Sequence, residues 1–136
     1  MNIMRFVVPK SLVEYVEVGN TVRQAFEKMR YHKYVAIPVI DGNGKYVGTL
    51  HNDDIFAYFL DSGVFDARSA EKDEVGEIIK TDYLLPLHHD ASMDELVEKV
   101  SEHNFVPVVD DKDTFIGIIT RSAIIKYCSQ RLFEED

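Results

Sequence analysis

One stretch of this chain is written twice, and the second copy keeps the spacing of the first. Residues 21–59 pass from Thr21-Val22-Arg23-Gln24 through Ala36-Ile37-Pro38-Val39-Ile40-Asp41 to Val47-Gly48-Thr49-Leu50-His51-Asn52-Asp53-Asp54-Ile55. Residues 92–128 follow the same plan with Ser92-Met93-Asp94-Glu95, Phe105-Val106-Pro107-Val108-Val109-Asp110 and Ile116-Gly117-Ile118-Ile119-Thr120-Arg121-Ser122-Ala123-Ile124. Pro38 and Gly48 in one copy, and Pro107 and Gly117 in the other, are each ten residues apart. A duplicated unit of this kind is expected to pack with pseudo-twofold symmetry, leaving a cleft between the copies in which a ligand can sit.

Hydrophobic periodicity turns each copy into an order of elements. Val22, Ala25, Phe26 and Met29 fall at i, i+3, i+4 and i+7, as do Met93, Leu96, Val97 and Val100, so each set lines one helix face. Thr21 with Gln24, and Ser92 with Glu95, give both helices a capping-box start. The apolar runs Val35 to Ile40 and Phe105 to Val109 suit strands buried on both faces. Asp41-Gly42-Asn43-Gly44 and Asp110-Asp111-Lys112-Asp113 turn each run into a second one, Lys45 to Leu50 or Thr114 to Ile119, which predicts hairpins. A further helix starts near Asn52 and near Arg121, and earlier strands are expected at Val13 to Val18 and Tyr83 to Leu87. The fold class is therefore α+β, with repeat 1 over 1–60, a connector over 61–74 and repeat 2 over 75–136. The connector, rich in Asp, Glu, Ser, Ala and Gly, reads as a solvated surface loop.

At 136 residues the chain can bury one good core or two small units sharing an interface. Fifteen basic against 24 acidic side chains leave a net charge of −9, which excludes a phosphate-backbone binder and so a nucleic-acid partner. The single cysteine, Cys128, forms no disulfide within the chain and is expected to pack as a small apolar residue. The apolar run at the start is too short for a signal segment or a membrane span, so no membrane association and a cytoplasmic location are expected. Glu134-Glu135-Asp136 reads as a frayed, solvated end.

A duplicated strand, helix, strand, strand, helix unit, with apolar-Pro-Val-apolar-Asp followed by Gly-apolar-apolar-Thr, resembles the cystathionine β-synthase (CBS) domain. Two such β-α-β-β-α repeats resemble a Bateman module of the free-standing bacterial type, some members of which bind cyclic di-AMP or AMP. The resemblance implies no enzyme and no obligatory cofactor, but a regulatory adenosine nucleotide (AMP, ADP, ATP or cyclic di-AMP) held between the repeats. In such domains the hydroxyl of Gly-x-x-Ser/Thr contacts phosphate, and an Asp three residues later takes the ribose hydroxyls. The chemistry is sound independently, since a carboxylate accepts two hydrogen bonds from a vicinal diol and a hydroxyl at a helix N-terminus favours an anion.

The two copies depart from that pattern in complementary ways. Repeat 2 has Thr120 and Arg121 but Ala123 at the acidic position; repeat 1 has Asp54, with His51 in place of the hydroxyl and Asp53 adding a second acid. A charge-assisted Arg to phosphate contact is worth roughly 1.5–3 kcal/mol before desolvation, so phosphate is expected on the repeat-2 side. The repeat-2 site is expected to comprise Thr81, Tyr83, His103, Asn104, Phe105, Val106, Pro107, Gly117, Ile118, Thr120 and Arg121. Its counterpart in repeat 1 comprises Lys10, Ser11, Tyr34, Val35, Ala36, Ile37, Pro38, His51 and Asp54. No catalytic nucleophile with a base stands out. Neighbouring residues on a strand point to opposite faces, so His88 and His89 are not expected to chelate together, and no metal site is expected. Phe56, Phe59, Ile125 and Leu132 are the candidate apolar face for a homodimer, and occupancy would be signalled to a regulated protein. The alternative is a structural adaptor that dimerises without a ligand.

Overall fold

The computed structural model describes residues 1–134; Glu135 and Asp136 at the acidic end lie outside them. In chain order the regular elements are β1 (Val8–Pro9), β2 (Val16–Glu17), α1 (Val22–His32), β3 (Ala36–Ile40), β4 (Tyr46–His51), α2 (Asn52–Ser62), α3 (Val75–Ile78), β5 (Leu87–His88), α4 (Met93–Glu102), β6 (Phe105–Val109), β7 (Phe115–Thr120) and α5 (Arg121–Glu134), with 3-10 turns at Ile3–Phe6, Lys10–Leu12 and Ser69–Glu71. They form two compact units, Glu14–Leu85 and a second made of Met1–Val13 with Pro86–Asp136. The unit bearing the second repeat thus takes its first thirteen residues from the opposite end of the chain.

In Glu14–Leu85 a three-stranded sheet runs β2-β3-β4, parallel then antiparallel. The Thr21 hydroxyl accepts from Gln24 N–H at 3.1 Å and the Gln24 side chain accepts from Thr21 N–H at 2.8 Å, which closes the expected capping box on α1. Val22, Ala25 and Met29 from α1 meet Val16, Ile37, Val39, Leu50, Ile55 and Phe59 in one core. The connector is not a plain solvated loop. Ala70 is fully buried in that core, Glu71 pairs with Arg23 on α1, and the Tyr58 hydroxyl of α2 donates to Asp73 at 2.6 Å. Ala70, with Phe65 stacked on Phe59 of α2 at 6.3 Å, brings the stretch down onto the helices.

The other unit holds a four-stranded sheet in the order β1-β7-β6-β5. Ser92 caps α4 by accepting from Glu95 N–H at 3.1 Å, and Leu96 and Val100 pack against Leu87, Val106, Val108, Ile119 and Ile124. Val97, expected on that face, is exposed on its flank. The N-terminal turn belongs to this core: Ile3 is fully buried, and the Phe6 ring lies edge-on to Tyr127 of α5 at 5.1 Å.

The duplication extends to the hydrogen-bond register. Ala36 faces His51, Pro38 faces Thr49 and Val39 faces Gly48; an offset of 69 residues carries each pair to Phe105 with Thr120, Pro107 with Ile118 and Val108 with Gly117, and the same irregularity follows in both hairpins. The strands leading each repeat are shorter than predicted. Pro86 has no N–H for a ladder, so pairing in the second repeat starts only at Leu87.

The two motif glycines are fixed by close approach. A Cβ on Gly117 would stand 2.2 Å from the Val8 carbonyl oxygen, because β1 crosses β7 there, and one on Gly48 would stand 2.8 Å from the Lys80 carbonyl oxygen. Each repeat thus has another segment of the chain laid over its motif glycine, β1 over Gly117 and Ile79 to Thr81 over Gly48.

Candidate ligand-binding site

At the junction of β4 and α2 the motif residues of the first repeat converge. The Asp54 carboxylate is buried (8% exposed) and accepts the His51 N–H at 2.8 Å, the half of a capping box that an acidic N3 residue supplies. Its other oxygen faces Lys80 Nζ at 3.7 Å. The Tyr83 ring stands edge-on to His51 with centroids 4.8 Å apart. Tyr46 anchors this corner: its hydroxyl donates to the Leu84 carbonyl at 2.8 Å, so the Thr49 hydroxyl, 2.7 Å away, donates to Tyr46. Burial pushes the Tyr46 phenol up to about 12, so it stays a donor through the neutral range. The result is a pocket of about 120 Å³ lined by Thr49, His51, Asp53, Asp54, Lys80 and Tyr83. That volume suits one part of a nucleotide, a phosphate or a sugar, far below the roughly 300–1,000 Å³ of a whole drug-sized site.

The equivalent junction between β7 and α5 is built differently. Thr120 Oγ1 accepts the Ala123 N–H at 3.2 Å and lies 3.3 Å from Ser122 Oγ, so the threonine caps α5 with its own hydroxyl. Arg121, expected beside it on a phosphate, turns away: its Nε donates to the Val100 carbonyl at 2.6 Å, at the C-terminal end of α4. Carbonyls in the last turn of a helix lack intrahelical partners and carry negative partial charge, which attracts a guanidinium.

The opposite walls are exchanged relative to the sequence expectation. Thr81 and Tyr83, assigned to the second repeat, lie with the first: Thr81 passes Gly48 and Tyr83 lines the His51 pocket. Lys10 and Ser11, assigned to the first, form the 3-10 turn packed against β7 of the second. The strand that leads into each repeat is preceded by a segment laid on the other repeat's motif glycine, a crossing that no local pattern announces. Lys80, beside Thr81 on that crossing segment, was not expected for this reason, and neither was Thr49, although it stands next to the motif glycine in the sequence.

The remaining residues divide by side of the sheet. Ile37, Pro38, Val106 and Pro107 are core. Tyr34 and Val35 line a groove on the helix side with Phe26, Met29, Ile55 and Phe56, away from the His51 pocket. Because β2 pairs only with Val39 and Ile40, and β5 only with Val108 and Val109, the Ala36–Pro38 and Phe105–Pro107 stretches carry no second ladder from those strands. The carbonyls just before them are occupied, Val35 by Asn52 N–H and Asn104 by Arg121 N–H. Ile118 lies on β7, half-buried opposite Pro107, and His103 ends α4, its N–H on the Lys99 carbonyl. Phe59 is nine-tenths buried in the core, not part of an outer face; Phe56, Ile125 and Leu132 are exposed. Cys128 is exposed as well, because the outer side of α5 is uncovered within its unit.

The strand alternation assumed for the two histidines does not apply. β5 ends at His88, and the chain turns at once, with Ala91 N–H on the His88 carbonyl at 2.9 Å. Strand alternation therefore stops before His89, and the two rings lie together with centroids 4.4 Å apart. Among the described residues no helix is long and apolar enough to cross a membrane.

Comparison with known proteins places these features in a family. The model of the CBS domain matches residues 7–61 and 75–130. The chain is 25% identical over 128 residues to the cyclic di-AMP receptor B of Bacillus subtilis (strain 168), covering 94% of this chain and 86% of the receptor. Its fold superposes on the crystal structure of CbpB in complex with c-di-AMP with a TM-score of 0.89, at 24% identity over 98% of this chain and 88% of that one. CBSX2 in complex with AMP gives a TM-score of 0.76 at 22% identity, over 95% and 96%.

Proposed function

The chain belongs to the CBS domain family with two repeats, and from that premise we propose that it is a regulatory sensor of an adenosine-containing nucleotide, with cyclic di-AMP the first candidate and AMP the second. The observation that carries this reading is the polar pocket at the β4–α2 junction, where a carboxylate, a cation and an aromatic ring meet at a helix start. Asp54 would accept the ribose hydroxyls with the oxygen not used by His51 N–H, and Tyr83 would wall the base. In the other unit, taken by itself, the Thr120 junction would be the phosphate contact. There Lys10, on the turn laid against β7, replaces Arg121 as the expected cation. The likeness to the Bacillus receptor over most of both chains supports cyclic di-AMP. The protein would act by population shift and not by catalysis, bound ligand favouring one arrangement that a partner reads.

Isothermal titration with cyclic di-AMP, AMP, ADP and ATP tests this. Asp54→Asn keeps an acceptor for His51 N–H while losing the charge, and is expected to weaken the bound nucleotide about ten- to a hundredfold, the loss of one charge-assisted contact. Thr120→Val should weaken it similarly, and Arg121→Ala much less. Binding of none of the nucleotides at millimolar concentration would refute the sensor reading. It would leave the adaptor alternative, which the apolar grooves favour: about 430 Å³ between α1 and α2 and about 610 Å³ between α4 and α5, bordered by exposed Phe56 and Leu132. We assign those faces to a second copy of the chain. Sedimentation of Phe56→Asp with Leu132→Asp should show monomer where the parent shows dimer.

A further inference from the structure

At the far end of the β6–β7 hairpin from Thr120, the turn at the end of β5 gathers His88, His89 and Asp111, whose ligand atoms all lie within 4.8 Å of one another. His88 Nε2 is 2.8 Å and His89 Nε2 3.1 Å from the same Asp111 oxygen. The backbone holds this arrangement from both sides. His89 N–H bonds the Val109 carbonyl at 2.9 Å, and Asp110 fastens the following turn by accepting the N–H groups of Lys112 at 2.9 Å and Thr114 at 3.0 Å, which sets Asp111 opposite the rings. Behind His88, the Asp90 carboxylate engages Nδ1.

We propose that His88, His89 and Asp111 form a binding site for a divalent cation of the zinc type, with Asp90 as the outer carboxylate that orients His88. Two imidazoles and one carboxylate are a donor set for zinc and its transition-metal neighbours and not for magnesium or calcium, which take oxygen. A carboxylate on Nδ1 fixes the tautomer that leaves the Nε2 lone pair for the metal, the recurrent outer arrangement of histidine ligands. Tetrahedral zinc with bonds of about 2.0–2.1 Å holds its ligand atoms roughly 3.3 Å apart, so the half-exposed rings and the exposed Asp111 need only side-chain rotation to close on it. Three protein ligands leave a fourth position for water. β7, with Phe115 at one end and Thr120 at the other, separates this site from the Thr120 junction by about 17–20 Å. The site is therefore independent of the nucleotide reading. It would tie the end of β5 to the hairpin turn.

The test is zinc titration of tag-free, chelator-treated full-length protein by calorimetry, with cobalt substitution read by visible absorption. One equivalent of zinc is expected, with a cobalt band of four-coordinate intensity and no uptake of magnesium. His88→Ala, His89→Ala and Asp111→Asn should each weaken zinc at least tenfold, Asp90→Asn about ten- to a hundredfold, and His103→Ala not at all. The substituted side chains are outside the core, and unchanged circular dichroism checks that each variant is folded. A zinc dissociation constant weaker than about 100 micromolar overturns the proposal. So does binding that survives the His88→Ala, His89→Ala double variant, or magnesium bound as well as zinc.

Discussion

Two glycines that occupy the same position in the repeat are not under the same pressure. A methyl group on Gly117 would collide with the Val8 carbonyl and the Val7 side chain, both belonging to a segment held in the ladder, whereas on Gly48 it meets the Lys80 carbonyl and an Ile79 methylene at greater distances. Overpacking of this sort destabilises by about 1–3 kcal/mol. Gly117→Ala is therefore expected at or above the top of that range and Gly48→Ala lower within it, as urea denaturation would show; equal losses would mean that β1 moves aside freely. Arg121 makes a contrasting case, since its charge is used inside its own unit. Its replacement by Ala removes the hydrogen bond to the end of α4 and should lower stability by about 1 kcal/mol while leaving nucleotide affinity nearly intact.

Between elements, the connector offers a clean alkaline test. The hydrogen bond that Tyr58 gives Asp73 raises the phenol to about 12, above the ordinary 10. A raised folded value means that the interaction is fully present below pH 10 and is lost as pH rises through about 12. Melting temperature is thus expected to fall across pH 10–12, with Tyr58→Phe less stable than the parent at neutral pH and its disadvantage shrinking over that window. Tyr46, raised to about 12 by its burial, titrates in the same range and is common to both proteins. The elements themselves were legible from periodicity and capping: α1, α4, both hairpins and the starts of α2 and α5 lie within a residue or so of expectation. What failed depends on partners distant in sequence. Arg121 donates to the carbonyl of Val100, Ala70 is buried in the first core, and the strand rule that separated His88 from His89 lapsed where the strand stopped.

For the molecule as a whole, the sequence repeat and the folded unit are not the same object. Two copies in tandem suggest that the chain could be cut between them, yet Ile3, β1 and the Lys10–Leu12 turn are built into the unit that carries the second copy. Deleting residues 1–13 should expose that core and strip β7 of its outer strand, lowering the stability of this unit by several kcal/mol, of the order of losing a buried Ile and its neighbours. Hydrogen exchange would show protection lost in β6 and β7 while Glu14–Leu85 keeps its own. A fragment beginning at residue 75 should fare no better. During synthesis the consequence is one of timing. Residues 1–13 find their place only after residue 118, the ladder partner of Val8, has emerged, while Glu14–Leu85 already has everything it needs. Glu14–Leu85 is therefore expected to fold before Met1–Val13 can join the residues from Pro86 onward, so a translation product interrupted after Leu85 would carry one complete unit and an apolar segment with nowhere to dock.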